Sequence, residues 1–352
     1  MAAAHPEGLV DLSVGTPVDR VPLPVRTALG DASESPGYPM VHGTVAVRRA
    51  YSEWLGRAHG VPDLDPVNVL PTIGSKELVA SLPTQLGLRA GDVVVIPELA
   101  YPTYEIGAIM AGATAVRSDS LTALGPERIS LIWINSPSNP TGRVLPPEHL
   151  AKIVTWARSR GAIVASDECY LGLPGASDPA PLSVLHPDVC DGDHTGLLAV
   201  HSLSKRSNMA GYRAGFVSGD PALVASLVAV RRHLGAMVPG PVQAAARAAL
   251  DDDGHVLAQR SRYGHRRELL RDALDSAGFQ ITHSEAGLYL WCTRGEPAMR
   301  SVDWCAEQGI LVAPGTVYGP AGANHVRVAL TASDERVKSA ASRLENARAR
   351  RR

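Results

Sequence analysis

The sequence predicts an α/β protein with a large domain on a mostly parallel β-sheet and a smaller α+β domain. Two observations support this prediction. Short apolar runs alternate with helical patterns along the middle of the chain, and the runs lack the polar alternation of strands with one wet face. The 352 residues, 45% of them hydrophobic, suffice for a sizeable core. We expect the large domain at residues 38–232, and the small domain from residues 1–37 and 233–352.

The strands of the large domain are predicted from β-branched apolar runs that end in polar residues. These runs lie at residues 93–97, 129–135, 162–166, 197–201 and 214–218. Helices are predicted between and beside them, at residues 77–86, 147–159 and 221–234. The second of these helices has Pro147 at its start and Gly161 just past its end, the usual asymmetry of helix termini. Strands and helices in this alternating order are typical of a parallel sheet covered by helices.

The C-terminal part of the chain predicts a mixed α+β domain. Helical patterns cover residues 257–277 and the stretch from 335 to the end, and short strands are expected near residues 288–292 and 326–330. The N-terminal stretch is rich in glycine and proline, and we expect it to pack with this part.

Composition and charge disfavour several classes of function. The net charge of −1 provides no field that would attract nucleic acid or an anionic membrane. The four cysteines show no C-x-x-C pair and no metal-ligand spacing, so we expect reduced thiols, no metal site and a cytoplasmic protein. No apolar run is long enough to span a bilayer, and the first residues lack the pattern of a signal peptide.

Polar side chains follow three of the predicted strands. Asn135 begins the run N-S-P-S-N-P-T-G, Asp167 begins D-E-C-Y, and Ser202 begins S-L-S-K. Singly, such residues are typical of tight turns and helix caps. Because ligands of open α/β sheets bind beyond the carboxyl ends of the strands, their joint occurrence predicts a binding site at this edge.

Lys205 is the most informative residue of this set. It is one of only four lysines, against thirty arginines, and it lies three residues after Ser202 and eight residues before Arg213. A lysine that forms a Schiff base with pyridoxal 5′-phosphate (PLP) needs a protected site, with hydroxyl and guanidinium donors for the cofactor phosphate. The pattern S-x-x-K alone is as typical of a surface lysine in a serine-rich loop as of a Schiff-base lysine. The neighbouring motifs favour the covalent role.

The order of these motifs resembles the class I and II aminotransferases, which are fold-type-I PLP enzymes. Along the chain come a glycine loop at Gly74, an aromatic at Tyr101, then N-P-x-G, D-E-x-Y, S-x-S-K and a C-terminal arginine at Arg327. The resemblance spans residues 12–329. It implies the PLP-dependent transferase fold with a seven-stranded type of sheet, PLP as the cofactor, amino-acid and 2-oxo-acid substrates, and a homodimer.

The resemblance implies a distinct role for each residue around the cofactor ring. Lys205 forms the Schiff base and then moves the proton between the substrate's α-carbon and the cofactor. Asp167 pairs with the pyridine nitrogen and keeps it protonated, so that the ring accepts electrons. Tyr170 and Asn139 hydrogen-bond the phenolic oxygen of the cofactor, and Tyr101 stacks on the ring.

A second group of residues is implied to hold the cofactor phosphate. A helix is predicted to begin in the glycine loop, and backbone N–H groups at a helix N-terminus suit a phosphate. The residues of this group are Gly74, Ser75, Lys76, Ser202, Arg213 and, as a further candidate, Ser204. Lys76 is the one rival for the Schiff base, but it starts a helix and lacks the serine and arginine that flank Lys205.

The remaining residues implied by the resemblance serve the substrate and a partner subunit. The guanidinium of Arg327 donates two hydrogen bonds to the substrate's α-carboxylate, and the backbone of Gly15 lies beside that carboxylate. Asn139 also borders the substrate. Tyr38 matches a tyrosine that reaches the cofactor phosphate of the other subunit, which implies an active site shared across the homodimer.

The N-terminal motif V-D-L-S-V-G-T-P is most similar to N-succinyldiaminopimelate aminotransferases, which exchange an amino group between glutamate and N-succinyl-2-amino-6-ketopimelate. This polyanionic substrate needs a distal cation, for which Arg20 and Arg26 are candidates by sequence proximity. Three alternatives stay open: another class I aminotransferase acting on aspartate, aromatic or many amino acids; a PLP-dependent C–S lyase; and the PLP sensor module of transcription regulators. The sensor is disfavoured, because no winged-helix pattern precedes the first motif.

Overall fold

The computed structural model describes residues 5–125, 128–173, 175 and 180–349. The strands, in chain order, are β1 (Val10–Asp11), β2 (Val69–Ile73), β3 (Val93–Ile96), β4 (Thr114–Arg117), β5 (Ile129–Asn135), β6 (Ile163–Asp167), β7 (Leu197–Ser202), β8 (Ala214–Gly219), β9 (Gln280–Ile281), β10 (Tyr289–Thr293), β11 (Ile310–Leu311), β12 (Ala313–Pro314) and β13 (Val326–Ala329). The α-helices are α1 (Leu23–Asp31), α2 (Val45–His59), α3 (Gly74–Gln85), α4 (Thr103–Met110), α5 (Pro147–Ser159), α6 (Pro187–Cys190), α7 (Leu203–Arg206), α8 (Pro221–Leu234), α9 (Gly240–Asp251), α10 (Gly254–Ser276), α11 (Ala298–Glu307) and α12 (Asp334–Ala349).

A seven-stranded sheet in the order β2-β8-β7-β6-β5-β3-β4 forms the centre of the fold. In the described part of the chain, β8 alone runs against its two neighbours in this sheet, and every other adjacent pair is parallel. The predicted mostly parallel sheet of the seven-stranded type is therefore confirmed. The five predicted strands correspond to β3, β5, β6, β7 and β8, each within one residue at either end.

The two edge strands of this sheet, β2 and β4, are not predicted by the sequence. Pro71 lies in the middle of β2, and a proline argues against a strand because it cannot donate to the ladder. At the sheet edge that missing N–H is tolerated, and Pro71 pairs in register with Phe216 of β8. Strand β4 is only half-buried, so it shows no continuous apolar run.

Both faces of the sheet are covered by helices, which explains the unbroken apolar runs of its strands. On β5, Ile132 and Ile134 pack in one core cluster with residues of α2, α5 and α9. The alternate residues Leu131 and Trp133 pack on the opposite face with residues of α3, α4 and α8. Helix α9 and Val25 of α1 also lie in the first cluster, although both are outside the limits of residues 38 and 232 expected for the large domain. Those limits stay a prediction.

The C-terminal part forms a second layered unit. Four antiparallel strands in the order β12-β13-β10-β9 pack with α10, α11 and α12, and the short β1 pairs in parallel with β11. Val10 and Leu12 of the N-terminal segment are buried in this same core. This unit has the predicted α+β character, and the first residues of the N-terminal stretch pack in it, whereas Val25 of α1 packs in the core of the large sheet.

None of the helices in the described ranges is long and apolar enough to cross a membrane.

Candidate active site

A cavity of about 600 Å³ opens at the carboxyl edge of the seven-stranded sheet, where β5, β6 and β7 end. The end residues of β5 and β6, Asn135 and Asp167, pair directly in register. The cavity collects most of the predicted site residues: Gly15, Ser75, Lys76, Tyr101, Asn139, Asp167, Tyr170, Ser202, Ser204, Lys205, Arg213 and Arg327. The sheet topology thus brings residues that are far apart in the sequence to one place.

Lys205 lies on α7, a single helical turn that follows β7 directly. The turn is capped by Ser202, whose Oγ accepts a hydrogen bond from the backbone N–H of Ser204 (3.2 Å). Lys205 Nζ points into the cavity and donates to the backbone carbonyl of Gly15. Burial, together with the nearby charges of Arg327 and Arg213, lowers the pKa of Lys205 to about 8. A substantial fraction of this amine is therefore neutral just above physiological pH.

Asp167 ends β6, and its carboxylate is buried in the cavity wall. Tyr104 Oη donates to Asp167 Oδ2 at 2.7 Å, and the backbone N–H of Cys169 donates to Oδ1 at 3.2 Å. Burial raises the pKa of Asp167 above its usual range, while these donors act in the opposite direction. The carboxylate is thus a buried charge in need of a cationic or strongly donating partner.

The glycine loop and Arg213 lie together at one end of the cavity. Gly74 starts α3 with a φ of +69°, and a Cβ built there would lie 2.3 Å from Arg213 Nη2. Arg213 itself has a left-handed backbone (φ +58°), and its Nη1 donates to the carbonyl of Ala210 at 2.9 Å. A guanidinium beside the N–H groups of a helix N-terminus fits a phosphate.

Arg327 reaches the cavity from β13 of the small sheet. Its Nη1 donates to Asn139 Oδ1 and its Nη2 to the carbonyl of Ser13, each at 2.7 Å. The guanidinium lies 4.0 Å from the ring centroid of Tyr289. Within the described residues, the buried Nε of Arg327 has no hydrogen-bond partner. The two hydrogen bonds of Nη1 and Nη2 use only part of the five N–H donors of this guanidinium, which lines the cavity, so donor capacity remains.

Gly15 is held against the small domain by close packing. A Cβ at this position would lie 2.1 Å from Tyr289 Oη, so a larger residue does not fit. Tyr289 Oη in turn shares a hydrogen bond of 2.9 Å with Tyr170 Oη. The N-terminal segment, the small sheet and the large domain thus meet at the cavity.

Three of the residues considered from the sequence lie away from the cavity, and a fourth, Gly74, is not in its lining but packs against the lining residue Arg213. Tyr38 is 97% exposed, which leaves it without a place in the site of its own chain. Arg20 and Arg26 are exposed, and neither lines the cavity. Sequence proximity to Gly15 therefore does not bring these two arginines to the site within a single chain.

Two cavity residues, Tyr104 and Tyr289, are missed by sequence reasoning. Tyr104 follows Tyr101 by three residues, one helical turn, and this spacing was the available signal. Tyr289 lies in a predicted strand, but its contact with Gly15 joins residues more than 270 positions apart. No group of three His, Cys, Asp or Glu side chains in the described ranges is placed to hold a metal ion.

Comparison with known proteins identifies the family. The model of the family "Aminotransferase class I and II" matches residues 7–344. A probable aminotransferase of Mycobacterium tuberculosis, Rv1178, is 61% identical over 344 residues, covering 98% of this chain and 82% of the relative. The 4-dedimethylamino-4-oxo-anhydrotetracycline transaminase OxyQ of Streptomyces rimosus is 55% identical, covering 97% of this chain and 95% of the relative.

A more distant relative and a solved structure agree with this assignment. The LL-diaminopimelate aminotransferase of Aquifex aeolicus is 34% identical, covering 96% of this chain and 91% of the relative. The structure of an aminotransferase from Staphylococcus aureus superimposes with a TM-score of 0.90 at 26% identity, covering 98% of this chain and 95% of that one. The chain belongs to the class I and II aminotransferases.

The family's cofactor is PLP, and the residues of the cavity fit it. Beside Gly74, the Arg213 guanidinium lies against the start of α3, and its donors and the N–H groups of that helix suit an anion. In the same cavity Asp167 presents a buried carboxylate, and Lys205 presents an amine with a lowered pKa. Anion donors, a buried carboxylate and an amine are the chemical features that the phosphate, the ring nitrogen and the aldehyde of PLP require, so the cavity fits this cofactor.

Proposed function

We propose that the protein transfers an amino group between glutamate and a second oxo acid, with Lys205 as the catalytic base. A single observation supports this most strongly: Lys205 Nζ, with its pKa lowered to about 8, shares one cavity with Asp167, Arg213 and Arg327. A base with a pKa near the working pH both accepts and returns protons efficiently. Lys205 Nζ would take the proton from the substrate's α-carbon and return it on the cofactor side.

Three residues are proposed to control the cofactor ring. When bound, PLP supplies an electron sink for the carbanion formed at the substrate's α-carbon. Asp167 would hold the proton on the pyridine nitrogen. Tyr170 and Asn139 would donate to the phenolic oxygen, and Tyr101, which is half-buried in the cavity wall, would stack on the ring.

The phosphate and the substrate carboxylate are proposed to bind at opposite ends of the cavity. The phosphate group would be bound by Gly74, Ser75, Lys76, Ser202, Ser204 and Arg213. The α-carboxylate would be bound by Arg327, next to Asn139 and the backbone of Gly15. The free donor capacity of Arg327 supports this second assignment. Anchoring both ends would orient the α-hydrogen toward Lys205.

The second substrate that we propose is N-succinyl-LL-2,6-diaminopimelate, with its oxo form N-succinyl-2-amino-6-ketopimelate, which would place the protein in lysine biosynthesis. The relative from Aquifex aeolicus, named for LL-diaminopimelate, supports the diaminopimelate skeleton. The 55% identity to OxyQ favours a second candidate, a polycyclic oxo compound of the anhydrotetracycline type.

A homodimer with shared active sites is also part of this proposal. The exposed Tyr38 side chain supports it, because an aromatic ring with 97% of its surface in water is available for a partner subunit. The free state of all four cysteines supports a cytoplasmic location.

The test is the half-reaction with glutamate, followed by visible absorbance of bound PLP. Glutamate alone should convert the bound cofactor to its amine form. Each candidate oxo acid should then accept the amino group at a measurable rate and return the cofactor to its aldehyde form. Lys205→Ala should abolish both conversion and borohydride-fixable attachment of PLP, while Lys76→Ala should retain the attachment. A wild-type cofactor that glutamate leaves unchanged would contradict glutamate as donor, and equal attachment in both variants would contradict the assignment of Lys205.

The choice between oxo acids rests on specificity. We expect N-succinyl-2-amino-6-ketopimelate to give a kcat/KM at least about tenfold above that of oxaloacetate, because it carries a third carboxylate, on the succinyl group, that oxaloacetate lacks, and a site that binds it contributes at least about one such factor. A higher value for the anhydrotetracycline oxo compound would replace the diaminopimelate proposal with the second candidate.

A further inference from the structure

We propose that Tyr104 is a positioning residue that holds the carboxylate of Asp167 toward the pyridine nitrogen of the cofactor. The inference rests on the role proposed above for Asp167. It concerns a residue that acts through another side chain.

The geometry of Tyr104 is specific. Its hydroxyl donates to Asp167 Oδ2 at 2.7 Å, within the range of a charge-assisted hydrogen bond. Its ring is fully buried and stacks on Trp133, with 4.9 Å between centroids and 20° between planes. The hydroxyl is therefore fixed in place by packing on α4 and β5.

Tyr104 also determines how the two carboxylate oxygens are used. Oδ1 accepts from the backbone N–H of Cys169 at 3.2 Å, and Oδ2 accepts from Tyr104. Without the hydroxyl, one oxygen of a buried carboxylate would lose its donor, which is costly in a protein interior. The side chain would then be free to rotate about its terminal bond, which is a broad, weakly restrained torsion.

The pKa shifts of Asp167 and Tyr104 bear on the hydrogen bond between them. Burial raises the pKa of Asp167, and the neighbouring charge of Glu168 raises it further. Hydrogen bonds from Tyr104 and Cys169 oppose that effect. Burial and the charge of Asp167 raise the pKa of Tyr104 well above its usual value. Tyr104 therefore stays protonated and remains a donor, so the hydroxyl stabilises the charged form of Asp167 that a pyridinium requires.

The same side chain contacts the residue proposed to stack on the cofactor. Tyr104 lies edge-on to Tyr101, with 5.9 Å between ring centroids and 83° between planes. Tyr101 and Tyr104 flank the start of α4, one turn apart. A single buried ring thus supports both the proposed partner of the pyridine nitrogen and the proposed partner of the ring face.

The test is Tyr104→Phe in the full-length holoenzyme, which retains the ring and its stacking but removes the donor. We expect PLP to dissociate about five- to fifty-fold faster, because an Asp167 carboxylate without its buried donor is held less firmly toward the pyridine nitrogen. The pH at which the absorbance of bound PLP changes should shift, and kcat should fall with little change in the KM for glutamate.

The matched control is Ser130→Ala, which removes another hydroxyl that donates to an aspartate carboxylate, from Ser130 Oγ to Asp92 Oδ1 at 2.7 Å, outside the cavity lining. It should reduce the thermal stability of the protein and leave the pH dependence of PLP absorbance unchanged. If both variants shift that pH dependence equally, the effect is structural and the proposal is overturned.

A double-mutant cycle with Asp167→Asn separates this inference from the proposed function. If Tyr104 acts through Asp167, Tyr104→Phe should change PLP dissociation by less than about twofold in the Asp167→Asn background. An undiminished effect there would overturn the proposal. Because PLP dissociation is measured without any substrate, a failure of glutamate to react would contradict the proposed function and leave this result interpretable.

Discussion

At the scale of single residues, the lowered pKa of Lys205 connects burial to chemistry. Lysine normally loses its proton near pH 10.5, and burial brings the pKa of Lys205 down to about 8. The direction of this pKa shift is that of a desolvated cation. The folded protein disfavours the ammonium form, and the unfolded chain binds the proton more tightly. The apoprotein should therefore gain stability as the pH rises from about 8 to 10.5, where the unfolded lysine is still charged.

The covalent loading of PLP should follow the same ionisation. Only the neutral amine attacks an aldehyde, so we expect the rate of attachment to the apoprotein to rise through about pH 8 and then level off. The measurement is stopped-flow absorbance across about pH 6–11, which includes the pKa of Lys205 and the ordinary pKa of lysine. Nα-acetyl-lysine amide serves as the reference amine. A midpoint near that of the reference amine would show that the folded site does not shift the pKa of Lys205.

At the scale of elements, the junction of β2 and α3 shows how backbone conformation creates a binding site. Gly74 adopts a φ of +69°, which only glycine reaches at low cost, and Arg213 fills the space that a side chain would take. The result is a guanidinium packed directly on a helix N-terminus. The glycine is needed for two separable reasons, the backbone angle and the close approach.

Gly74→Ala should separate binding from stability. The backbone angle alone costs about 1–2 kcal/mol for an alanine, and the clash with Arg213 should weaken PLP binding by at least about tenfold. The matched control is Gly235→Ala at the end of α8, where φ is +67° and no atom lies within 4 Å of the added Cβ. Both variants should unfold at lower temperature, and calorimetric titration with PLP should show a loss of affinity for Gly74→Ala alone. Equal affinities would place the phosphate away from Gly74.

The elements also show what limits prediction from sequence. The central strands β5, β6 and β7 are predictable because both of their faces are buried, which demands continuous apolar runs. The edge strands β2 and β4 are not predicted from the sequence. An edge tolerates Pro71 in β2, and it allows β4 to keep a partly exposed surface without a continuous apolar run. Tyr104 escapes it because a tyrosine on an apolar helix is typical of ordinary core packing.

At the scale of the whole molecule, the N-terminal segment joins the two parts of the chain around the cavity. Asp19 accepts two hydrogen bonds from the buried Arg266 of α10, at 2.8 and 2.9 Å, and Thr331 Oγ1 donates to the carbonyl of Val14 at 2.8 Å. These contacts lie on either side of Gly15. The loop that borders the cavity is therefore fixed by the small domain, although the cavity lies at the edge of the large sheet.

The proposed shared active site predicts complementation between two inactive variants. If Tyr38 serves the partner's site, a mixed dimer of Lys205→Ala with Tyr38→Ala contains one site with both residues native. Re-equilibrated equimolar mixtures should then recover about a quarter of the wild-type activity, since half of the dimers are mixed and each has one native site. Activity that stays at the mean of the two separate variants, with mixed dimers shown by native mass spectrometry, would place Tyr38 outside the partner's site.

The sequence by itself determined the layered α/β fold, the strand ends that carry the site, and the lysine with its flanking serine and arginine. These features are local: they follow from periodicity and from residues close together along the chain. Only the tertiary structure decided the strand order, the contact of Arg327 with Asn139 across 188 positions, and the hydrogen bond of Tyr104 to Asp167 across 63. It also decided the lowered pKa of Lys205. The reason is that burial and long-range contacts depend on how the elements pack, and packing is a property of the whole fold.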